Sequence, residues 1–304
     1  MNRLIIFIFR VYYSLIMKNY SNPDFLQKLN HLYISPLERC NLRCKICYTR
    51  KTNHRLNEKE ILDFIERYEK VKKLESVTFC GGEVFMLPYF PNLVNNLTSR
   101  IILVQIITNG TIDRLKELRN PNLINLIVSL DGLPYYHDKN RGVGNFKKSL
   151  TFLKKVNQLG FHSEIFSIVT RQNVKQVEKF ENYLREFLGF NIPITYHPRK
   201  PIKYLIHHPV SNTKGVRKGF DFLTKKEMLY LMSNKKTFPP KNLGCFQISL
   251  MSDGKVYGCC DGTVPVGTIS HKIEVLINNL RKRYKDNNLL CSQPDFVCGI
   301  KEYI

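Results

Sequence analysis

Hydrophobic and polar positions fall into two rhythms along most of this chain, and the two take turns. Short runs rich in Ile, Leu, Val and Phe read as buried strands: Leu32 to Ser35, Ser76 to Cys80, Ile101 to Ile107, Leu123 to Val128, His162 to Val169 and Ile192 to Tyr196. Between them, apolar residues recur at helical spacing over Asn57 to Leu74, Pro91 to Thr98, Ile112 to Leu118, Phe146 to Leu159 and Val174 to Phe187. Asn57 with Glu60 three residues on forms a capping-box pattern, and Pro91 suits a first helical turn. Strands alternating with helices predict parallel βα units, an α/β fold whose working loops follow the C-terminal ends of the strands.

The alternation divides the chain. Residues 31–200 carry it, residues 1–30 precede it as an extension, and residues 201–240 lose it in a connector punctuated by Pro201, Pro209, Pro239 and Pro240, with one short helix from Lys225 to Met232. Residues 241–304 resume with two short strands about the turn Asp253-Gly254, then a helix from Glu274 to Tyr284. The first seventeen residues are apolar, but Arg10 interrupts them and they are too short to span a bilayer. They fit a helix laid on the barrel, sequence upstream of a start at Met17, or an interfacial anchor, so any membrane contact is confined to residues 1–17.

Cysteine usage changes the picture most. Three of the nine cysteines stand as Cys40-x3-Cys44-x2-Cys47 after the first strand. Three thiolates on one loop are an incomplete ligand set for a four-iron cluster, leaving one iron open to a substrate or cofactor. On the triplet alone, a zinc site completed by His54 stays open. Further motifs follow the next three strands in order: Gly81-Gly82-Glu83, Thr108-Asn109-Gly110, and Ser129-Leu130-Asp131-Gly132. Arg141 comes soon after, in His137-Asp138-Lys139-Asn140-Arg141-Gly142.

Together these motifs closely resemble the radical SAM superfamily. The resemblance implies a partial (β/α)6 TIM-like barrel over about residues 31–200. It implies a 4Fe-4S cluster on Cys40, Cys44 and Cys47, with S-adenosylmethionine (SAM) on the open iron. Reductive cleavage would then yield a 5'-deoxyadenosyl radical that takes a hydrogen atom from the substrate. By the same resemblance Gly81, Gly82 and Glu83 meet the methionine amine, Ser129 and Asp131 the ribose, and Arg141 the carboxylate. The residue chemistry suits these roles: adjacent glycines admit close approach, carboxylates and hydroxyls bond ammonium and sugar groups, and a guanidinium grips a carboxylate bidentately.

The remaining cysteines are Cys80, read as a small buried thiol, and five in the last sixty residues: Cys245, Cys259, Cys260, Cys291 and Cys298. The pattern Cys245-x8-Gly254-x4-Cys259, followed by Val266-Gly267-Thr268-Ile269 and a helix, resembles the SPASM and twitch auxiliary domains of radical SAM enzymes. With only two late cysteines, the shorter single-cluster form fits better. A second 4Fe-4S cluster on Cys245, Cys259, Cys291 and Cys298 is expected, and a zinc ribbon is its alternative. Five thiols for four positions leave one over. Certain related peptide epimerases return a hydrogen atom from such a thiol, and Cys260 is the candidate donor here.

Charge adds less. Net charge is +22, from 47 basic and 25 acidic residues in 304. The lysines are scattered, alanine is absent and no basic stripe interleaved with aromatics runs along the chain, which argues for base composition of the gene rather than a nucleic-acid partner. Cysteine-held iron needs a reducing compartment, so the cytoplasm is expected. The expected function is hydrogen abstraction from a peptide or protein substrate, of maturase or epimerase type, served by a flavodoxin or ferredoxin as electron donor. The alternatives are a small-molecule dehydrogenase of sugar or antibiotic synthesis and a nonenzymatic cluster or zinc protein. Some thirty residues before the barrel are too few for the winged-helix domain that binds leader peptides in some relatives.

Overall fold

The computed structural model describes residues 29–49, 51–199, 218–233, 236–237, 245–260, 262, 264–285 and 300–303. Residues 1–17, most of the expected connector, the side chain of Cys245, and Cys291 and Cys298 lie outside the described residues.

Six parallel strands form the frame in chain order: β1 His31–Ser35, β2 Ser76–Phe79, β3 Leu103–Thr108, β4 Ile124–Ser129, β5 His162–Val169 and β6 Pro193–Pro198. Each pairs in parallel with the next. The helices on their outer side are α1 Glu58–Glu69, α2 Phe90–Ser99, α3 Pro134–Arg141, α4 Asn145–Gln158 and α5 Val177–Leu188. The expected α/β partial barrel is the observed architecture. Asn57 caps α1 through the full capping box, and Pro91 sits in the first turn of α2.

Two expectations are corrected. The segment Ile112 to Leu118 forms only a 3-10 turn at Leu115–Glu117, because Asp113 Oδ1 accepts the Leu115 N–H and Arg114 is tied to Glu117, Leu87 O and Pro88 O. Such local side-chain bonds compete with helix formation. Conversely, α3 arises where no helix was expected. Pro134 opens it and Gly142, at φ +102°, ends it.

The sheet does not stop at β6. The hairpin β8 Cys245–Met251 and β9 Lys255–Cys259 forms as expected about Asp253-Gly254, and β8 pairs in parallel with β1 from Leu32↔Ile248 to Ser35↔Met251. The short β10 Gly267–Thr268 adds to β9, while β11 Ile300–Tyr303 and β7 Lys236–Thr237 extend the far edge beyond β6. Helices α6 Lys225–Ser233 and α7 Ile273–Lys285 match the two expected near the C-terminus. The hairpin is therefore a continuation of the barrel wall, although sequence places it in a separate region from residue 241.

Alternation sorts the strands into two faces. Leu32, Ile34, Ile248 and Leu250 join the main core with Ile61 of α1 and Leu276 and Leu280 of α7. The opposite face, toward the lumen, carries polar groups at His31, Tyr33 and Ser35 on β1, Ser76 and Thr78 on β2, Gln105 on β3, and Gln247 and Ser249 on β8.

Candidate active site

The cysteine triplet lies on the loop leaving β1, at the C-terminal mouth of the barrel. Cys40, Cys44 and Cys47 are half-buried and in no disulfide. Three neighbours hold the loop. The stem rests on Gly81 and Gly82: Gly82 N donates to Leu37 O and Glu83 N to Arg39 O, at 2.9 and 3.0 Å. A Cβ on Gly82 would stand 1.8 Å from Arg39 O, and one on Gly81, whose φ is +141°, 2.4 Å from Leu37 O. The close approach that calls for glycine here is made by the chain itself. Next, Asn109 Nδ2 reaches Cys40 Sγ at 3.6 Å and Asn41 Oδ1 at 2.9 Å. Last, Asn140 of α3 accepts Lys45 N on its carbonyl and Ile46 N on its side chain, while Ile46 packs with Tyr136 and Phe220.

Glu83 is buried and its carboxylate is fully engaged. It accepts from Thr108 Oγ1 and Asn109 N, both at 2.8 Å, and from Phe85 N at 3.3 Å. Burial nonetheless pushes its pKa up to about 7, outweighing those donors. Asp131 is likewise occupied. Arg141 grips it through Nε at 2.6 Å and NH2 at 3.1 Å, and Asn140 Nδ2 and Ile168 N complete its shell. Burial opposes the Asp131 charge, but Arg141 prevails and holds the carboxyl below its usual range. The same partnership, with Cys44 and Cys47 near the guanidinium, raises Arg141 against burial. The expected ribose contact at Asp131 thus meets a carboxylate already engaged by four protein donors; here it anchors Arg141. Ser129, half-buried at the end of β4, keeps the expected position.

Three cysteines on one loop, none in a disulfide, are a donor set that fits a cluster, and His54, the candidate fourth zinc ligand, is exposed. A zinc site needs four ligands on one ion, whereas a four-iron cluster takes each sulfur on a separate iron. Burial raises the Cys40 and Cys44 thiols, and Arg141 partly counters this at Cys44.

At the other end of the lumen, β9 runs antiparallel and returns the chain to the N-terminal mouth. There Cys259 pairs with Cys245 in the ladder, and Cys259 and Cys260 are half-buried and in no disulfide. Cys80 is not sealed in the core as expected but half-buried on the lumen side, hydrogen-bonded with Tyr33. Burial foremost, then Cys80, Cys260 and Tyr48, raise the Tyr33 phenol well above its ordinary value, which places that phenol in the field of thiols from both mouths. A cavity of about 510 Å³ opens at the N-terminal ends of β3 to β6, with Gln105, Asn125 and Glu164 among its lining.

Sequence gives Thr108-Asn109 only as part of a motif after the third strand, with no role assigned, and gives Asn140 and Tyr33 no role. Thr108-Asn109 had a signal, since it follows a strand at the level of the other motifs. Asn140 had one only through its neighbour Arg141.

Residues 34–184 match the profile of the Radical SAM superfamily. The chain belongs to the radical SAM superfamily. Among curated proteins, a tungsten-containing aldehyde ferredoxin oxidoreductase cofactor-modifying protein of Pyrococcus furiosus is 27% identical over 172 residues, 51% of this chain and 48% of that protein. A GTP 3',8-cyclase of Clostridium botulinum is 26% identical over 175 residues, 53% of this chain and 54% of its own. The chain thus spans about half the length of these relatives. Among solved structures, anSMEcpe with bound AdoMet and Cp18Cys peptide superposes with a TM-score of 0.65 at 20% identity, over 83% of this chain and 81% of the other. Streptococcus suis SuiB bound to precursor peptide SuiA gives 0.61 at 15% identity, over 84% and 65%. The likenesses to solved structures establish the fold.

Proposed function

We propose that this radical SAM enzyme abstracts a hydrogen atom from a peptide or protein held in the barrel lumen, between the cysteine triplet at one mouth and the Cys259–Cys260 pair at the other. The observation that carries this reading is the reach of the fold likeness. Residues 34–184 are about half the chain, whereas a neighbour with a bound peptide covers 83% of it. The likeness therefore extends beyond the superfamily domain.

Cys40, Cys44 and Cys47 would hold a 4Fe-4S cluster, which with SAM and one electron from a flavodoxin- or ferredoxin-like donor supplies a hydrogen-abstracting radical. The protein's own part is positional. Gly81 and Gly82 fix the loop stem, Glu83 stands beside the amine-binding position, Ser129 offers a hydroxyl to the ribose, and Arg141, steadied by Asp131, presents positive charge to the cofactor carboxylate. Cys245, Cys259, Cys291 and Cys298 are the ligand set for an auxiliary 4Fe-4S cluster. Cys260 is the thiol that ends the reaction: its S–H bond breaks, the hydrogen joins the substrate carbon radical, and one electron and one proton from the external donor restore the sulfur. A compartment that keeps these thiols reduced, the cytoplasm by default, suits the whole set.

A second reading has support in sequence. The curated relatives carry names that refer to GTP, nucleotides and a cofactor, which favours a small-molecule substrate. Anaerobic reconstitution separates the two. The peptide reading expects 5'-deoxyadenosine formation above the substrate-free rate with a short peptide encoded beside the gene, and deuterium in that peptide in heavy water. Stimulation by GTP or another nucleotide and not by peptide would overturn it. Full deuterium incorporation by Cys260→Ala at unchanged iron content would remove Cys260 from the scheme.

A further inference from the structure

The lumen walls differ in a way that the cofactor chemistry does not explain. On β1 to β3 the inward polar groups satisfy one another. His31 Nδ1 meets Ser76 Oγ at 2.7 Å, its Nε2 meets Thr78 Oγ1 at 3.1 Å, and Thr78 donates to Gln105 Oε1 at 2.9 Å. On β8, directly beside β1, the opposite holds. Gln247 is 3% exposed and Ser249 fully buried, yet neither amide atom of Gln247 nor the Ser249 hydroxyl has a hydrogen-bond partner among the described residues. Buried polar groups without partners are rare and costly, and three such atoms on one short stretch mark a surface shaped for something other than the resting chain.

Their placement says what kind of group would meet them. Ile248 and Leu250 point into the core, so Gln247 and Ser249 share the lumen face, two residues apart. Two strand residues span about 6.6 Å, the repeat of an extended peptide lying along the strand. A glutamine side chain offers one acceptor and a donor group together, the complement of the C=O and N–H of a peptide unit. Among the described residues, the β1 wall beside them carries no charge: Ser249 lies beside Tyr33 in the sheet, and burial keeps that phenol protonated and holds His31, at about 4, neutral. Tyr33 and His31 thus offer no counter-charge to a phosphate or carboxylate.

We propose that Gln247 and Ser249 are substrate-specificity residues that bind an uncharged amide, a peptide unit of the substrate laid along β8. This rests on the peptide reading above and deepens it. The test uses the reconstituted holoprotein and two probes, acetyl-tetraglycine amide and the matching depsipeptide in which one amide N–H is replaced by an ester oxygen, with binding read by ligand-observed NMR. The amide is expected to bind the wild type, and Gln247→Met to weaken it about tenfold, one hydrogen bond's worth, with a smaller loss for Ser249→Ala. The depsipeptide should bind the wild type more weakly and respond less to Gln247→Met. Because Gln247→Met replaces unpartnered polar atoms with an apolar chain of similar shape, its melting temperature should rise. A lowered melting temperature, unchanged amide binding in both variants, or no saturable binding to the wild type at millimolar probe would each overturn the proposal. Amide binding that depends on Gln247, in a protein stimulated only by nucleotides, would overturn the peptide reading and with it the substrate role given to Gln247 and Ser249; loss of Gln247 dependence in a protein stimulated by peptide would overturn this proposal alone.

Discussion

At the residue scale, two buried carboxylates in one site take opposite paths. Asp131 lies against Arg141 and stays ionised, while Glu83 receives only neutral donors and burial raises it from 4.5 to about 7. Between those two values the folded protein holds a proton that the unfolded chain has released, so Glu83 makes stability fall as pH rises through that window. The shift corresponds to roughly 3 kcal/mol. Melting temperatures measured from pH 4.5 to 7.5 should fall more steeply in wild type than in Glu83→Gln; equal slopes would show that Glu83 ionises freely. At Asp131, replacement by Asn leaves Arg141 buried without its counter-charge, a loss of about 3–5 kcal/mol. A lower melting temperature and reduced iron retention are expected together, because Asn140, which bonds Asp131, also holds Lys45 and Ile46 of the cysteine loop. Sequence pointed to Glu83, Asp131 and Arg141 but not to the pairing of the last two. Nothing in a linear motif reveals that Asp131 and an arginine ten residues on close a buried bridge across α3.

At the element scale, the loop leaving β1 is held from below by the chain segment leaving β2. Gly82→Ala sets a Cβ 1.8 Å from a backbone carbonyl that cannot rotate away, so the stem of the cysteine loop must shift. We expect Gly82→Ala to keep the far-ultraviolet circular dichroism of the barrel while losing iron from the triplet. Normal iron loading would mean that the contact relaxes cheaply. The strands and most helices were legible from periodicity, with β5 read to the residue, because burial on the helix-covered face dictates the apolar runs. The exceptions have local causes. Ile112 to Leu118 has helical spacing, but Asp113 and Arg114 bond the nearby backbone and side chains and leave one 3-10 turn. Helix α3 was hidden because its eight residues are mostly polar, although Pro134 and Gly142 bracket it.

At the scale of the whole molecule, the lumen joins two cysteine sites that sequence treated as belonging to separate domains. The hairpin β8–β9 continues the barrel wall, and Cys260 lies in the same chamber as Cys80 and Tyr33. No sequence pattern announces that β8 pairs with β1 across more than two hundred intervening residues. The polar lumen positions of β8 were invisible for the same reason. No helix among the described residues is long and apolar enough to cross a membrane. The two proposed clusters of four irons predict about eight irons per chain, falling to about four when Cys40, Cys44 and Cys47 are replaced together. The most direct test of the account is 5'-deoxyadenosine formation by anaerobically reconstituted protein given SAM and a strong reductant. Wild type should form it and the triple variant, still holding about four irons, should not; a fully iron-loaded wild type that forms none would contradict the account.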